Sequence, residues 1–304
     1  MYILILGSAA GGGFPQWNCN CVMCNNVRQG TLTAQPRTQS SIAVSTDKVN
    51  WLLVNASPDI RTQLNTQPLM QPARHLRDTG VAAVMLTDSQ IDHTTGLLIL
   101  RESTQALQLY CTDSVYEDLR TGFPVINMLQ HYCGVKRYPL NLESRSQSVE
   151  GIEHLQVTAI PLHSKAPPYS PHRHNPMSGD NIGLWFEDTA TGSTLFYAPG
   201  LGEFTDHLKP YCEQADCLLV DGTCWTDDEM TQRGVGQKSA AAMGHLAQTG
   251  KGGMLAQLAH FPDARKILIH INNTNPILDE ASPERTQMAA QGIEVAYDGM
   301  LLNL

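Results

Sequence analysis

The sequence predicts a layered α/β fold, and three observations carry that prediction. Short apolar runs of strand length recur along the chain, and one of them, residues 81–86, is apolar throughout, as expected of a strand buried on both faces. These runs repeatedly end in polar residues able to ligate or hydrogen-bond, the usual place for sites in open α/β sheets. At 304 residues, with 42% apolar and 16% charged side chains, the chain can bury roughly three quarters of its unfolded surface. That length allows one large domain or two.

Taken in order, residues 2–6 read as a strand that breaks into Gly7-Ser8-Ala9-Ala10-Gly11-Gly12-Gly13. A phosphate-binding loop fails there, because no Gly-Lys-Ser/Thr is present and a proline follows at once. Close approach of backbone to a neighbour is the expectation. Residues 40–45 and 51–54 read as paired strands around a turn at Thr46-Asp47-Lys48, and residues 60–64 as the start of a helix. The 81–86 strand feeds directly into Asp88–His93, which places that motif on a strand-end loop, with a helix over 96–102 leaving it. In the second half, residues 195–198, 217–220, 267–271 and 293–296 read as strands and 240–246 as a helix. Residues 167–177, rich in proline and holding His172 and His174, read as an exposed loop or lid. No fixed-period repeat is present.

A formal charge of −9 argues against nucleic acid or an anionic membrane as the main partner. The apolar N-terminus is too short for a signal peptide and lacks a basic leader, and no apolar run reaches membrane-spanning length. Of eight cysteines, three lie within six residues and five are dispersed, unlike a secreted disulfide framework. A cytoplasmic chain is expected.

The most informative stretch is Thr87-Asp88-Ser89-Gln90-Ile91-Asp92-His93. It has the layout of the two-metal hydrolase motif His-x-His-x-Asp-His, with Asp88 and Gln90 replacing the first two histidines. Asp92 and His93 remain, so one metal with open positions is predicted rather than two. His270 is the best third ligand, because it ends a strand and precedes Asn272-Asn273-Thr274-Asn275-Pro276. Two histidines and one carboxylate on one face of an octahedron leave three adjacent positions free, the arrangement of non-haem Fe(II) oxygenases. An Asp-His pair alone would be an ordinary hydrogen-bonded pair; the preceding strand and following Gly96 make it a ligand set.

Cys19, Cys21 and Cys24 have C-x-C-x-x-C spacing in a glycine-bordered loop. Thiolates this close suit one tetrahedral Zn(II), with the fourth ligand from elsewhere. The dispersed cysteines read as small core residues. His245 is a candidate acid/base or supporting group and His163 a weaker one, while Asp221, at a strand end, could orient a ligand histidine. His154, His172, His174, His207 and His260 attract no functional role.

Together, the strand-end Asp-x-Gln-x-Asp-His, the cysteine loop and His270-Ile271-Asn272-Asn273-Thr274-Asn275-Pro276 resemble the pyrroloquinoline quinone (PQQ) biosynthesis protein B family of the metallo-β-lactamase fold superfamily. The resemblance runs from the glycine-rich 7–13 segment to Asp298-Gly299-Met300. It implies an αββα sandwich forming one domain over 1–304, with a zinc-binding loop at about 18–25. Fold relatives place a metal on the equivalents of Asp92, His93 and His270. Their other metal needs the two histidines that are Asp88 and Gln90 here, and a bridging aspartate where this chain has Pro199-Gly200. A phosphodiesterase branch completes its cysteine-loop zinc three residues beyond the late histidine, which is Asn273 here.

What the resemblance implies is Fe(II)- and O₂-dependent hydroxylation of the tyrosine ring of a Glu-Tyr-derived unit. On this reading Asp92, His93 and His270 bind the metal, and His245 or Asp88 moves protons. Arg61 and Arg101 are candidates to pair with substrate carboxylates. The implied partners are a small peptide-derived substrate, O₂ and other cofactor-biosynthesis proteins. Two alternatives stay open: a carrier or export factor for finished PQQ, and a metal-dependent hydrolase using Asp88.

Overall fold

The computed structural model describes residues 1–142 and 146–304. Two seven-stranded sheets form its centre. The first contains β1 (Tyr2–Gly7), β2 (Ser41–Ser45), β3 (Trp51–Val54), β4 (Val81–Met85), β5 (Leu107–Cys111), β6 (Val135–Pro139) and β14 (Leu301–Asn303), in the order β14-β1-β2-β3-β4-β5-β6. The second holds β7 (Gln147–Val149), β8 (Ile152–Pro161), β9 (Ile182–Asp188), β10 (Thr194–Ala198), β11 (Cys217–Asp221), β12 (Arg265–Ile269) and β13 (Ile293–Val295), in the order β13-β12-β11-β10-β9-β8-β7. β3 to β6 run parallel, as do β10 to β13, and the remaining pairs are antiparallel.

Side-chain alternation along each strand explains the layering. Ile3, Ile5, Leu52, Val54 and Met85 from the first sheet meet Leu155, Val157, Leu184, Phe186, Tyr197, Leu219 and Ile267 from the second in one central core. Their neighbours point outward: Leu4, Leu6, Trp51, Leu53 and Val84 pack under helices carrying Ile60, Val115, Leu119 and Ile126. On the far side Phe196, Leu218, Val220 and Leu268 pack under Cys212, Leu255, Leu258 and Met288. Both faces of both sheets are therefore apolar, which is why strands such as β4 and β11 read as unbroken hydrophobic runs. The result is the expected αββα sandwich.

Several expected elements change at their ends. The 96–102 helix is a 3₁₀ segment, Thr95–Glu102, and Asp92 and His93 lie on a one-turn helix rather than a loop. The 240–246 helix stops at Met243, because Gly244 adopts the left-handed conformation (φ 96°) that closes helices. β12 ends at Ile269, two residues early, because His270 is itself left-handed (φ 59°). The helix after Asp59 extends from Ile60 to Thr66. The 167–177 stretch carries turns but no helix or strand.

Two cross-sheet contacts close the sandwich at one end. Ala9, beyond β1, bridges to Ile271, beyond β12, and Asp88, beyond β4, bridges antiparallel to Asn181, just before β9. The carboxyl ends of β4, β11 and β12 thus face a common cleft. Among the described residues, no helix is long and apolar enough to cross a membrane.

Candidate metal centre

The Asp88–His93 segment is shaped by its own hydrogen bonds. Asp88 Oδ1 accepts from the Gln90 amide at 2.9 Å, turning the chain so that Ile91–Thr94 can form one helical turn. The Ala56 amide donates to His93 O at 2.7 Å and the Gly96 amide to Ala56 O at 2.9 Å, fixing that turn against the loop after β3. His93 is buried, with Nδ1 2.8 Å from Asp88 Oδ2. Its other nitrogen, Nε2, is buried without a hydrogen-bond partner among the described residues.

From the opposite sheet, the turn at His270 swings its ring into the same space. Thr223 Oγ1 lies 2.9 Å from His270 Nδ1 and 2.6 Å from Asp221 Oδ1. The short contact to a carboxylate assigns the hydroxyl proton to Asp221, so Thr223 accepts Nδ1–H and leaves His270 Nε2 as a lone-pair donor. That atom is 3.3 Å from Asp92 Oδ2, and His93 Nε2 is 4.0 Å from the same oxygen. One ligand atom each from Asp92, His93 and His270 therefore lies within 4.8 Å of the others. An orphaned imidazole nitrogen, a second imidazole with its tautomer fixed and an adjacent carboxylate fit a divalent cation.

Electrostatics agree with that fit. Burial disfavours a charged His93, but the Asp88 and Asp92 carboxylates outweigh it and hold the imidazole up at about 9. Burial likewise opposes ionisation of Asp92, yet the charge on His93 keeps its carboxyl well below the usual range. Two anions around one imidazole are a negative pocket suited to a cation.

A second group, Asp221, His245 and His270, also has ligand atoms within 4.8 Å. Its bonding is different. Asp221 Oδ2 is 2.5 Å from His245 Nδ1 and accepts from the Leu201 amide at 3.0 Å, while Oδ1 accepts from the Thr223 amide and hydroxyl. With those lone pairs spent, Asp221 orients His245 instead of ligating. Burial opposes His245 protonation, and Asp221 overrides it and raises the imidazole above its ordinary value. His245 stacks on His270, ring centroids 5.1 Å apart, and lines the cleft.

The cleft has a volume of about 200 Å³ and is also lined by Ala10, Gly11, Asn181, Met243 and Asn272. The glycine run makes the predicted close approach: a Cβ on Gly7 would sit 2.1 Å from Gln39 O, and one on Gly11 3.2 Å from Asp92 Oδ2. Asp88 and Gln90, which stand where a second ion's histidines would be, are used internally. Asp88 bonds His93, Thr87 and the Gln90 amide, and the Gln90 amide group donates to Lys165 O at 3.1 Å. Arg61 and Arg101, expected near substrate, are exposed and do not line the cleft. Arg101 lies 3.5 Å from Glu102 and over Tyr132. The expectation rested on charge need alone, and no pattern placed either residue. His163 is exposed beside Glu203 at 3.1 Å.

The cysteine loop lies on the same side. Sγ atoms of Cys19, Cys21 and Cys24 meet within 4.8 Å. The Asn273 carboxamide caps them, Nδ2 lying 3.2 Å from Cys19 and Cys24 and 3.9 Å from Cys21. Rotating that amide by half a turn would present Oδ1, so its position fits a fourth zinc ligand. Sequence reasoning missed Thr223 and Asn181. Thr223 carried a signal, two residues beyond a strand-end aspartate; Asn181 carried none.

A two-sheet sandwich with a histidine–carboxylate cluster at its strand ends defines a metallo-β-lactamase-type protein, and the model of the beta-lactamase superfamily domain matches residues 50–271. Coenzyme PQQ synthesis protein B of Nitrosococcus oceani is 59% identical over 99% of both chains, and that of Pseudomonas putida 60% identical over 100% of both. The crystal structure of Zn²⁺-bound PqqB from Methylobacterium extorquens superposes with a TM-score of 0.91 at 40% identity, covering 100% of each chain. The chain belongs to the coenzyme PQQ synthesis protein B family. A diphosphatase of the PhnP family, at 17% identity and a TM-score of 0.70, shares the fold.

Proposed function

We propose that this protein is a mononuclear non-haem Fe(II) oxygenase of PQQ synthesis, hydroxylating the tyrosine ring of a small Glu-Tyr-derived intermediate. The observation that carries the reading is the meeting of two imidazoles and one carboxylate at a single point, while Asp88 and Gln90 are tied up in protein hydrogen bonds. Three protein ligands on one face leave room for substrate and O₂ together. Family membership supports the pathway, and the resemblance in the ligand positions supports the chemistry.

Bound Fe(II) supplies activation of O₂; the remaining work falls to side chains. Asp88 and Thr223 fix the ligand imidazoles, keeping each Nε2 turned inward. Asp221 holds His245 through Nδ1, so Nε2 is the atom left to exchange a proton with a phenol. The small cleft limits bulk water around the ring. Hydroxylation places one oxygen atom on the ring and converts the other to water, with two electrons from an external reductant. Other cofactor-synthesis proteins are proposed to deliver the substrate.

Protein loaded anaerobically with Fe(II), then given isotopically labelled O₂, ascorbate and a Glu-Tyr dipeptide, is expected to acquire one labelled oxygen on the ring. Absence of label with one active-site iron per chain overturns the oxygenase reading. Tight PQQ binding that survives alanine at Asp92, His93 and His270 would favour carriage, and two active-site ions with phosphodiester turnover a hydrolase.

A further inference from the structure

Asn181 stands out in the cleft for what it does not do. Among the described lining residues that carry an amide or hydroxyl, Gln90, Ser164, Thr223 and Asn272 each use their side chain in a protein hydrogen bond. Among the described residues Asn181 finds no partner for its carboxamide, although the residue is only 5% exposed. Its backbone is fixed: it bridges to Asp88, and its carbonyl accepts from the Leu162 amide at 3.0 Å. An enclosed side chain whose amide has no protein partner but is still reachable from the cleft is ordinarily satisfied by water or by a ligand.

The direction of that amide follows from the bridge. Residues directly opposite in an antiparallel pair project to the same face. Asp88 on that face contacts His93 Nδ1, so the Asn181 carboxamide lies within a side chain's reach of the ligand cluster. Among the described residues no arginine or lysine lines the cleft, so no such side chain there pairs with a substrate carboxylate. At about 200 Å³ the space falls below the roughly 300–1,000 Å³ of sites that enclose a whole drug-sized ligand. It suits one ring, with the rest of a larger molecule outside. A carboxamide offers both donor and acceptor, matching a phenolic hydroxyl, which has both.

We propose that Asn181 is a specificity-determining residue whose carboxamide hydrogen-bonds the ring hydroxyl of the substrate. The inference rests on the proposed function in taking the substrate to be phenolic. It deepens that reading by moving recognition from surface arginines to a neutral group inside the cleft.

Zinc-loaded protein tests it without oxidation chemistry. Wild type is expected to bind 4-methylphenol about tenfold more tightly than 4-methylanisole, whose hydroxyl is capped, the size of one net hydrogen bond. Asn181→Leu and Asn181→Ala are expected to bring that ratio near one while retaining zinc. A preference that persists in either variant assigns the hydroxyl to another group and overturns the proposal. Wild-type protein gives a check independent of how the variants fold: the Asn181 side-chain amide resonance is expected to shift with 4-methylphenol and not with 4-methylanisole. No shift overturns it equally. Because zinc protein runs no hydroxylation, a failed oxygenase assay leaves this result standing, and loss of the binding preference leaves the oxygenase test untouched.

Discussion

His93 lies between two carboxylates, 2.8 Å from Asp88 and 4.0 Å from Asp92. Without a cation these raise its imidazole from 6.5 to about 9 against the opposing effect of burial. The sign of the consequence is fixed. A folded value above the unfolded one stabilises metal-free protein fully below about pH 6.5, and that contribution is lost as pH rises through about 9. Metal affinity runs the other way, because the bound proton must leave: it should rise about tenfold per pH unit and level off above about pH 9. Asp88→Asn removes one of the two anions, so fewer protons should be released per ion near pH 7 and the plateau should begin at lower pH. Calorimetry in two buffers of different ionisation heat counts those protons. An unchanged count in the variant would mean that Asp88 does not hold the His93 proton.

The elements that present these ligands are short and depend on a glycine. Gly96 follows the one-turn helix, and a Cβ there would lie 2.2 Å from Ser57 O and 2.7 Å from Ala56 O. Both neighbours are backbone, so they yield little, and the Thr95–Glu102 segment would have to retreat. Gly96→Ala should cost about 2–3 kcal/mol of unfolding free energy, and Asp92 and His93 should move with it, weakening metal binding. Urea unfolding and a metal titration on the same variant read both effects; stability loss with intact metal affinity would show that the strain is absorbed elsewhere. In the sequence Gly96 is legible as the boundary of a helical run, but 3₁₀ and α forms share nearly the same apolar spacing and differ only in tertiary fit. Strands were legible where an apolar run is unbroken, as in β4 and β11. They were not read in β5 and β9, buried runs interrupted by Gln108 and by Gly183, in β6, half-exposed with Lys136 and Arg137 inside it, or in β8, where exposed Glu153 and His154 follow Ile152. Such strands owe their place to neighbours in the sheet, which no local pattern records.

At the scale of the whole molecule, the candidate site spans the sandwich. Asp92 and His93 follow β4 of one sheet, and His270, 178 residues after Asp92, follows β12 of the other. Each ligand is legible alone, as a polar residue at the end of an apolar strand, yet their meeting depends on how the sheets stack. That is why Thr223, which ties His270 to Asp221 across a loop, and Asn181, which faces Asp88 from the opposite sheet, escaped the sequence. The same geometry makes a bound ion a clamp between sheets. An ion that binds only the folded chain adds about 2.7 kcal/mol at a hundred times its dissociation constant, so zinc should raise the unfolding midpoint of protein whose cysteine loop is already filled. His270→Ala removes the second sheet's contribution and should abolish that gain while leaving the cysteine-loop ion in place. A zinc titration followed by thermal unfolding decides it: if the variant gains as much stability as wild type, the ion does not bridge the two sheets.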